Sequence, residues 1–460
     1  MSVEAVTTTG IYCLPSCSAR PLPGNVVRYG SAAAAEVAGF RACLRRRPYR
    51  SAPPVMTGPD LVCRAVHLIS EGALDDHTEA DLAARLGVSP RHLRRLFADH
   101  VGTTPDQLAR SNRTHFARRL LDDSDLTVTD IAWASGFGSL RQLNRACREI
   151  FRASPTELRA RRRRIDRLAA DGGLTLRLPF TGPLDWDLLL GYFERRAIGG
   201  VEHVISGFYR RTITVDGDPG VLELSRVGDD RLLLRAHLPQ VGGLIHVVQR
   251  ARRIFALDRD PSAANQHLSA DPILTSSVTA HPGLRVPGTW DAYETGVRAI
   301  VGQQVSVGGA STITGRIVER VGTPVPGLEA LGLTHTFPEP ATLAQADLDD
   351  IGMPGARASA IKAFAAAVDK GDVALDGRLP LDDLVAAICA VPGLGPWTAS
   401  YIALRLGEPD AFPAADLGLR RAANPGADPL TTSDLAARAE AWRPHRGAAA
   451  LRLWLSELGG

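Results

Sequence analysis

The segment AICAVPGLGPWTASYIALRLGEPDAFPAADLGLRRA, residues 387–422, holds the residues best suited to chemistry. Its turn VPGLG separates two stretches with apolar residues at helical spacing. Gly393 and Gly395 would let backbone N–H groups at the start of the second helix approach a phosphate. Further on, Asp416 offers a carboxylate that could stabilise positive charge or activate water. Because Asp is also a common N-cap, the segment alone leaves a capping and a catalytic role for Asp416 open.

This order of helix, hairpin, helix, Gly/Pro-rich loop and Asp is similar to the signature of the helix-hairpin-helix DNA glycosylases, and VPGLGPWTASYIALR resembles the AlkA-type 3-methyladenine glycosylases. The resemblance implies that Asp416 stabilises charge on the sugar and orients the attacking water. Bifunctional relatives use a hairpin lysine, but Trp397 stands at that position, and Lys362 and Lys370 are the only lysines of the chain. We therefore expect a monofunctional hydrolase, without a cofactor, that releases alkylated purines of the 3-methyladenine and 7-methylguanine type.

The same resemblance implies a base pocket whose aromatic walls would stack on the electron-poor rings of cationic purines. Leu455 departs from the family, which has a tyrosine there. Each aromatic residue could instead belong to the ordinary core. The candidate pocket residues are Tyr192, Gln303, Gln304, Trp397, Tyr401 and Trp454.

The region upstream supplies the elements that must hold these residues. LTLRLPF, GFYRRTITV, GVLELSRV and RLLLRAHL predict half-buried strands, and DWDLLLGYFERRA predicts a helix. PFTGPLDWDLLLGYFERRAIGGVEHV resembles the N-terminal domain of AlkA-type glycosylases. The segment RVPGTWDAYETGVRAIVGQQVSVGGASTITGRIVERVG then predicts helices. An α+β platform is expected at 174–285, followed by an all-α catalytic domain at 286–460.

An internal repeat lies nearer the amino terminus. TEADLAARLGVSPRHLRRLF has apolar residues at helical spacing on both sides of Gly87, and TDIAWASGFGSLRQLNRACREIF repeats the pattern around Gly136. Ser89 and Pro90 suit the N-cap and first position of a helix. The repeat predicts two helix-turn-helix units, although a small helical domain with solvated polar faces would also fit.

Together with the closing FRASPTELR, the two units resemble the AraC/XylS-type DNA-binding domain, in which the second helix of each unit enters the major groove. The resemblance implies double-stranded DNA as partner, both promoter and damaged, with RNA polymerase a further candidate. Arginine runs at 45–47, 94–95, 118–119 and 159–164 could bind phosphate or simply be solvated. The candidate base or phosphate contacts are Arg91, His92, Arg94, Arg95, Arg141, Gln142, Asn144 and Arg145.

Three cysteines near the amino terminus could bind zinc, which takes four ligands in a structural site. TTTGIYCLPSCSAR and GFRACLRRRP contain Cys13, Cys17 and Cys43, and closely resemble the methylphosphotriester domain of Ada-type proteins. In that family four cysteines bind zinc, and the cysteine matching Cys13 accepts a methyl group from DNA phosphate. Arg46 stands in place of the fourth cysteine. Cys63, His67 or a water could complete the site, so methyl transfer and a degenerate remnant both stay open.

The composition of the whole chain limits the class of protein to which it can belong. The 460 residues carry a formal net charge of +3 and are 45% hydrophobic, and no apolar run approaches the roughly 18 residues of a membrane helix. MSVEAVTTTG lacks the features of a signal peptide, so we expect a cytoplasmic, nucleoid-associated protein without disulfides or membrane contact.

The expected fold is multidomain, mainly α with α+β parts. It comprises a small cysteine-containing domain (1–58), an all-α double helix-turn-helix domain (59–165), the α+β platform and the all-α helix-hairpin-helix domain. These domains indicate a DNA glycosylase fused to a sequence-specific regulator of the alkylation response. The alternative is a transcriptional regulator whose glycosylase half is inactive or only binds DNA.

Overall fold

The computed structural model describes residues 2–19, 21–52, 58–163, 166–168 and 173–458. The chain forms two compact units. One comprises Met1–Phe180 and Arg231–Arg252, and the other comprises Thr181–Asp230 and Arg253–Gly460. Arg164, at the end of the arginine run 159–164, and residues 169–172, between the two expected domains, lie outside the described residues.

The first unit begins with a small sheet in the strand order β3-β1-β2-β4. Its elements are β1 (Val3–Val6), β2 (Ile11–Cys13), β3 (Val26–Tyr29), α1 (Ala32–Val37) and β4 (Arg41–Ala42). Strand β4 runs parallel to β2, with Tyr12 opposite Ala42. Because Cys13 ends β2 and Cys43 directly follows β4, this register brings the two cysteines to the same end of the sheet.

Helices make up the next part of the first unit, and they follow the predicted repeat. Thr78 and Thr127 form capping boxes at the first helix of each helix-turn-helix unit, and Ser89 and Ser139 cap the second. The helices are α2 (Asp60–Ser70), α3 (Glu79–Arg85), α4 (Pro90–His100), α5 (Pro105–Asp123), α6 (Val128–Ala134), α7 (Leu140–Phe151) and α8 (Pro155–Ala160).

Gly87 and Gly136 occupy corresponding turns of the two units. Their φ angles are +69° and +75°, in the left-handed region that favours glycine. Leu82, Leu93 and Phe97 are buried in the first unit of the repeat. The repeated sequence pattern therefore corresponds to a repeated backbone geometry.

The predicted strands of the platform are present in chain order with one helix among them. Strands β5 and β9 pair antiparallel within the first compact unit, and β6, β7 and β8 form an antiparallel meander within the second. The elements are β5 (Leu174–Pro179), α9 (Trp186–Glu194), β6 (Glu202–Ile205), β7 (Phe208–Val215), β8 (Asp218–Arg226), β9 (Arg231–His237) and α10 (Leu244–Ile254).

The rest of the second unit is almost entirely helical. Short strands β10 (Thr323–Pro324) and β11 (His335–Thr336) interrupt the helices. The helices are α11 (Ser262–Leu268), α12 (Pro272–Ala280), α13 (Ala292–Val301), α14 (Val307–Val321), α15 (Pro340–Gln345), α16 (Gly355–Asp369), α17 (Leu381–Cys389), α18 (Pro396–Leu406), α19 (Leu417–Ala422), α20 (Thr432–Ala439) and α21 (Arg446–Leu458).

Two apolar cores lie within this helical region. One includes Phe364 and Ile402, and the other includes Leu419 and Leu453. Trp454 packs against both cores. Residues near α18, α19 and α21 are thus held by apolar packing on both sides. The expected multidomain fold, mainly α with α+β parts, is confirmed.

Among the described residues, no helix combines the length and apolar character that crossing a bilayer requires.

Candidate active site and DNA-binding surfaces

The hairpin between α17 and α18 depends on glycine at position 393. Gly393 has φ +85°, and a Cβ atom there would lie 2.8 Å from the Cβ of Ala360. Gly395 is the N-cap residue of α18 and precedes Pro396; it provides no side-chain cap, and a Cβ atom there would meet nothing within 4 Å. No side chain caps this helix end, so the backbone N–H groups there remain candidates for binding a phosphate.

Asp416 is a helix cap and also the acceptor of two side-chain hydrogen bonds. Its Oδ1 accepts from the backbone N–H of Leu419 at 3.0 Å, which caps α19. The indole Nε1 of Trp454 donates to the same oxygen at 2.9 Å, and Nε1 of Trp397 donates to Oδ2 at 2.9 Å. Asp416 therefore caps α19. The hydrogen bonds from the two indoles are additional to this cap, and they fix the orientation of the carboxylate.

Four of the candidate pocket aromatics lie together beside Asp416. The rings of Trp397 and Tyr401 are stacked, with centroids 5.6 Å apart and an interplanar angle of 11°. Trp454 meets Tyr401 edge-on at 6.0 Å. The hydroxyl oxygen of Tyr192 lies 3.3 Å from that of Tyr401. Helix α9 of the platform thus contributes Tyr192 to the same cluster.

The two candidate glutamines lie in the turn between α13 and α14. Gln303 is partly buried, and its Nε2 donates to Thr398 Oγ1 at 2.9 Å, on the helix that carries Trp397. Gln304 is exposed and has φ +56°. Gln303 is hydrogen-bonded to α18 whereas Gln304 is exposed, so the two glutamines are not equivalent.

Sequence reasoning missed Arg405, which lies one turn after Tyr401 on α18. Its Nη1 donates to the hydroxyl oxygens of Tyr192 at 2.5 Å and Tyr401 at 3.2 Å. Its Nε and Nη2 donate to the carbonyl oxygens of Pro287 and Gly288, both at 2.7 Å. The signal available in the sequence was an arginine within the apolar helix YIALRL, where a buried cation requires partners.

The pKa values of the two tyrosines shift in opposite directions. Burial raises the pKa of Tyr192. Burial also acts to raise the pKa of Tyr401, but the charges of Arg405 and Arg196 and a hydrogen bond from Tyr192 outweigh it and lower this pKa to about 8. The guanidinium of Arg196 lies 3.9 Å from the ring centroid of Tyr192. Tyr401 is therefore much more acidic than an ordinary tyrosine.

The candidate helix-turn-helix contact residues lie within the first six residues of α4 and α7, but their surroundings differ. Arg91, Arg95, Arg141 and Arg145 are exposed. Arg94 is also exposed and forms an ion pair with Glu79 of the preceding helix.

The uncharged or titratable members of this set make local contacts. His92 Nδ1 lies 3.1 Å from Arg95. Gln142 Oε1 accepts from the N–H of Gly138 at 3.1 Å, and Asn144 Nδ2 donates to the carbonyl oxygen of Leu140 at 3.0 Å. Contact with DNA would require these amides to exchange their local backbone partners.

The arginine runs include residues with structural roles. Arg47 is buried and forms ion pairs with Asp166 and Asp122, and Arg118 pairs with Asp122 at 2.5 Å. Arg162 pairs with Asp125 at 3.0 Å. These arginines stabilise the first unit, so the runs are not continuous phosphate-binding surfaces.

Cys13, Cys17 and Cys43 form a cluster in which the three Sγ atoms lie within 4.8 Å of one another. Neither Cys63 nor His67 belongs to this cluster, and the thiol of Cys63 donates to the carbonyl oxygen of Gly58. The three thiols fit three positions of a tetrahedral zinc site. Within the described part of the chain no fourth donor of the His, Cys or carboxylate type joins them.

Arg46 forms hydrogen bonds that connect the two cysteine-bearing loops. Its guanidinium donates to the carbonyl oxygen of Ser16 at 3.1 Å, and its backbone N–H lies 3.5 Å from Cys43 Sγ. Burial acts to raise the pKa of Cys17, but the backbone of Ala19, the thiol of Cys13 and Arg46 together lower it. A cation thus occupies the position next to the thiols where the fourth cysteine was expected.

Models of known families match four successive regions of the chain. They are the metal binding domain of Ada (residues 2–49), a helix-turn-helix domain (82–161), the AlkA N-terminal domain (175–291) and the HhH-GPD superfamily of base excision DNA repair proteins (297–438). The resemblances inferred from the motifs are confirmed. The fold and the site define a helix-hairpin-helix DNA glycosylase fused to a helix-turn-helix regulator.

A Mycobacterium tuberculosis protein named "Probable bifunctional transcriptional activator/DNA repair enzyme AlkA" is 41% identical over 458 residues, 98% of this chain and 92% of that protein. The chain belongs to this family of bifunctional activator/repair enzymes. DNA-3-methyladenine glycosylase 2 of Escherichia coli is 33% identical over 288 residues, 60% of this chain and 95% of that protein. The fold of 3-methyladenine DNA-glycosylase from Archaeoglobus fulgidus aligns with a TM-score of 0.55 at 21% identity, over 61% of this chain and 98% of that one.

Proposed function

We propose that the second unit hydrolyses the N-glycosidic bond of alkylated purines such as 3-methyladenine and 7-methylguanine, with Asp416 as the essential carboxylate. The observation that carries the proposal is the pair of indole N–H groups, from Trp397 and Trp454, directed at the two oxygens of Asp416. They hold one carboxylate orientation beside an aromatic cluster before any substrate arrives. Such preorganisation is the main way in which enzymes stabilise a charge that develops in the transition state.

The chemistry requires the base to leave the duplex and the sugar to become positively charged as the bond to the base breaks. Asp416 would lie against the sugar, stabilise this charge and take a proton from the attacking water. The stacked rings of Trp397 and Tyr401 offer an electron-rich surface to a cationic purine. Tyr192, Trp454 and Gln303 would complete the pocket, with Gln304 at its exposed edge.

The hairpin of Gly393 and Gly395 would bind a phosphate through backbone N–H groups and so fix the damaged strand without reading its sequence. Trp397 occupies the position at which bifunctional relatives carry a lysine. Water is therefore the expected nucleophile, and strand cleavage is not expected.

Release of methylated bases from methylated duplex DNA tests this proposal directly. Wild type should release 3-methyladenine and 7-methylguanine, and Asp416→Asn should slow the release by about 10²–10³-fold or more. Asp271→Asn is a matched control, because Asp271 also caps a helix and accepts from an indole, that of Trp442 at 2.9 Å. It should keep the activity. Release retained in Asp416→Asn would refute the role of Asp416.

The first unit would direct the enzyme to particular promoters, with the exposed arginines of α4 and α7 on base edges and phosphates. Contact with RNA polymerase and action at the nucleoid in the cytoplasm would follow from that role. The alternative is a regulator whose second unit only binds DNA. No base release by wild type, together with a sequence-specific footprint, would favour this alternative.

We further propose that the cysteine cluster is a remnant of a methyl-accepting zinc site. Cys13, Cys17 and Cys43 would be the ligands of any bound zinc, which would keep Cys13 as a nucleophilic thiolate. The guanidinium of Arg46 cannot replace a thiolate ligand, because it is a permanent cation without a free lone pair. Methyl transfer by Cys13 would therefore be weak or lost.

A further inference from the structure

Backbone hydrogen bonds position the three thiols of the cysteine cluster. Cys13 ends β2 and Cys43 follows β4, and the N–H of Cys43 donates to the carbonyl oxygen of Tyr12 at 2.9 Å. The N–H of Cys17 donates to the carbonyl oxygen of Leu14 at 3.0 Å, so a tight turn follows β2. The three Sγ atoms lie within 4.8 Å of one another. The fold of the small domain thus holds three sulfur atoms around one point.

Zinc does not match this set of donors. A structural zinc site takes four ligands in a tetrahedral arrangement. Within the described ranges, the cluster offers three thiols and no further His, Cys or carboxylate donor. Beside them lies Arg46, whose backbone N–H is 3.5 Å from Cys43 Sγ and whose guanidinium donates to the carbonyl oxygen of Ser16 at 3.1 Å. A guanidinium has no lone pair to offer a metal. The cluster is therefore suited to an ion that three sulfur ligands satisfy.

Trivalent arsenic and antimony are ions of this kind. Each forms three bonds arranged as a pyramid and keeps a lone pair at the fourth corner, where it needs no donor. Thiolates are the ligands that soft ions prefer. A complex of a trivalent ion with three thiolates is neutral, so its partial burial leaves no charge without a partner. All three cysteines are partly exposed, which leaves their thiols open to a small neutral molecule such as arsenous acid.

We propose that Cys13, Cys17 and Cys43 form a three-thiolate binding site for a trivalent thiophilic ion of the arsenite type. Arsenous acid, As(OH)₃, reacts with the three thiols. Three As–O bonds and three S–H bonds break, three As–S bonds form, and each hydroxyl group leaves with one thiol proton as water. Arsenic stays trivalent, so the reaction needs neither an oxidant nor a reductant. The site does not depend on the proposed activity of the second unit.

The remaining cysteines of the chain provide an internal comparison. The thiol of Cys63 donates to the carbonyl oxygen of Gly58, Cys147 is buried in α7, and Cys389 ends α17. None of the three belongs to a cluster of possible metal ligands among the described residues. A lone thiol offers arsenic one bond instead of three. Binding at the cluster is therefore recognised by the loss of three thiols for each arsenic bound.

The test titrates the reduced full-length chain with arsenite after a chelator has removed bound metals. We expect one arsenic per chain by elemental analysis after gel filtration, and three fewer thiols that react with a chromogenic disulfide. The intact mass should rise by one arsenic atom less three hydrogens. Cys17→Ser should weaken binding by at least about 10-fold, the lower end of what the loss of an outer partner of a metal ligand costs. Cys63→Ser and Cys389→Ser are matched controls and should bind arsenite as wild type does.

Two changes at Arg46 separate a three-sulfur site from a damaged zinc site. Arg46→Cys supplies a fourth thiol, so zinc should displace arsenite from this variant at a concentration at least about 10-fold lower than from wild type. Arg46→Ala removes the cation without adding a ligand. It should bind arsenite less than about 10-fold more weakly than wild type, and zinc should compete with arsenite no better than in wild type.

Loss of only one or two thiols on binding, equal affinity in Cys17→Ser, or zinc that displaces arsenite from wild type as readily as from Arg46→Cys would each overturn this inference. None of these outcomes changes the expected release of methylated bases by the second unit. Conversely, failure of base release leaves arsenite binding as expected, so the two proposals fail separately.

Discussion

The indole nitrogen of Trp397 donates a 2.9 Å hydrogen bond to Oδ2 of Asp416. Trp397 is the second residue of α18, directly after the hairpin, and Asp416 caps α19. This hydrogen bond therefore connects the hairpin, which is expected to bind the DNA backbone, to the carboxylate that is expected to act on the sugar. A shift of the hairpin would be transmitted to Asp416 through a single side chain.

Trp397→Phe should slow base release without abolishing it. The change keeps an aromatic ring for stacking but removes one hydrogen bond to the carboxylate, which typically contributes about 1.5–3 kcal/mol when one partner is charged. We expect a loss of roughly 10–100-fold in single-turnover release of 7-methylguanine. Trp442→Phe removes the comparable indole bond to Asp271 and should alter thermal stability only. Similar rate losses in both variants would contradict the specific role of Trp397.

His246 should make the stability of the first unit depend on pH. Its Nε2 lies 2.5 Å from Asp75 Oδ2 and its Nδ1 lies 3.1 Å from the carbonyl oxygen of Ser70, so both ring nitrogens face acceptors. Burial acts to lower the pKa of His246, but Asp75 outweighs it and the pKa is raised. Asp75 also pairs with Arg113, and its own pKa is lowered. Glu71, which pairs with Arg250, lies nearby and favours the imidazolium.

Because the pKa of His246 is raised in the folded state, its protonated form stabilises the fold. This stabilisation is fully present below pH 6.5, the ordinary pKa, and is lost as the pH rises through the raised pKa. The pKa of Asp75 is lowered, so its contribution to the stability of the fold is fully present at every pH above its ordinary pKa of 3.8. His246→Gln should therefore lower the free energy of unfolding more at about pH 5.5 than at about pH 8.5. Urea unfolding followed by circular dichroism measures this difference. An equal effect at both pH values would exclude the ion pair as its cause.

Arg95→Ala and Arg145→Ala should weaken binding to promoter DNA. Both side chains are exposed, and each lies on the helix proposed to enter the major groove, α4 or α7. Loss of a phosphate contact should reduce the slope of log affinity against log salt by about 1, whereas loss of a base contact should cost about 1–3 kcal/mol and relax sequence preference. Footprinting across salt concentrations separates the two cases.

Arg94→Ala is the informative comparison, because the ion pair of Arg94 with Glu79 gives it a structural role as well. It should lower thermal stability more than Arg95→Ala does. Asp416→Asn should leave the footprint unchanged. Binding by wild type that shows no sequence preference at any salt concentration would argue against the regulator half.

Purified protein should hold less than one tightly bound zinc per chain, since Arg46 leaves the cysteine cluster one thiolate short. Arg46→Cys should raise the content to about one per chain. Elemental analysis after dialysis against a weak chelator gives the ratio, and Cys63→Ser should not change it. Full occupancy in wild type that disappears in Cys13→Ser would contradict the loss of the site.

The sequence by itself determined the features that depend on neighbouring residues. Helix periodicity, the Ser and Thr caps and the turn glycines act within a few residues, so both helix-turn-helix units and the hairpin before α18 could be predicted. The cysteine pattern likewise located three thiols and the substitution at Arg46. The replacement of a cysteine by an arginine is visible without coordinates.

Only the tertiary structure decided how Asp416 is held and which groups surround Tyr401. The indole donors to Asp416 lie 19 and 38 positions away along the chain, and Tyr192 lies 209 positions from Tyr401. Contacts at such separations depend on how apolar faces of many helices pack together, and no local pattern encodes them. The role of Arg405 could not be predicted from the sequence for the same reason. A buried arginine is recognised by its hydrogen-bond partners, and folding brings these partners to it.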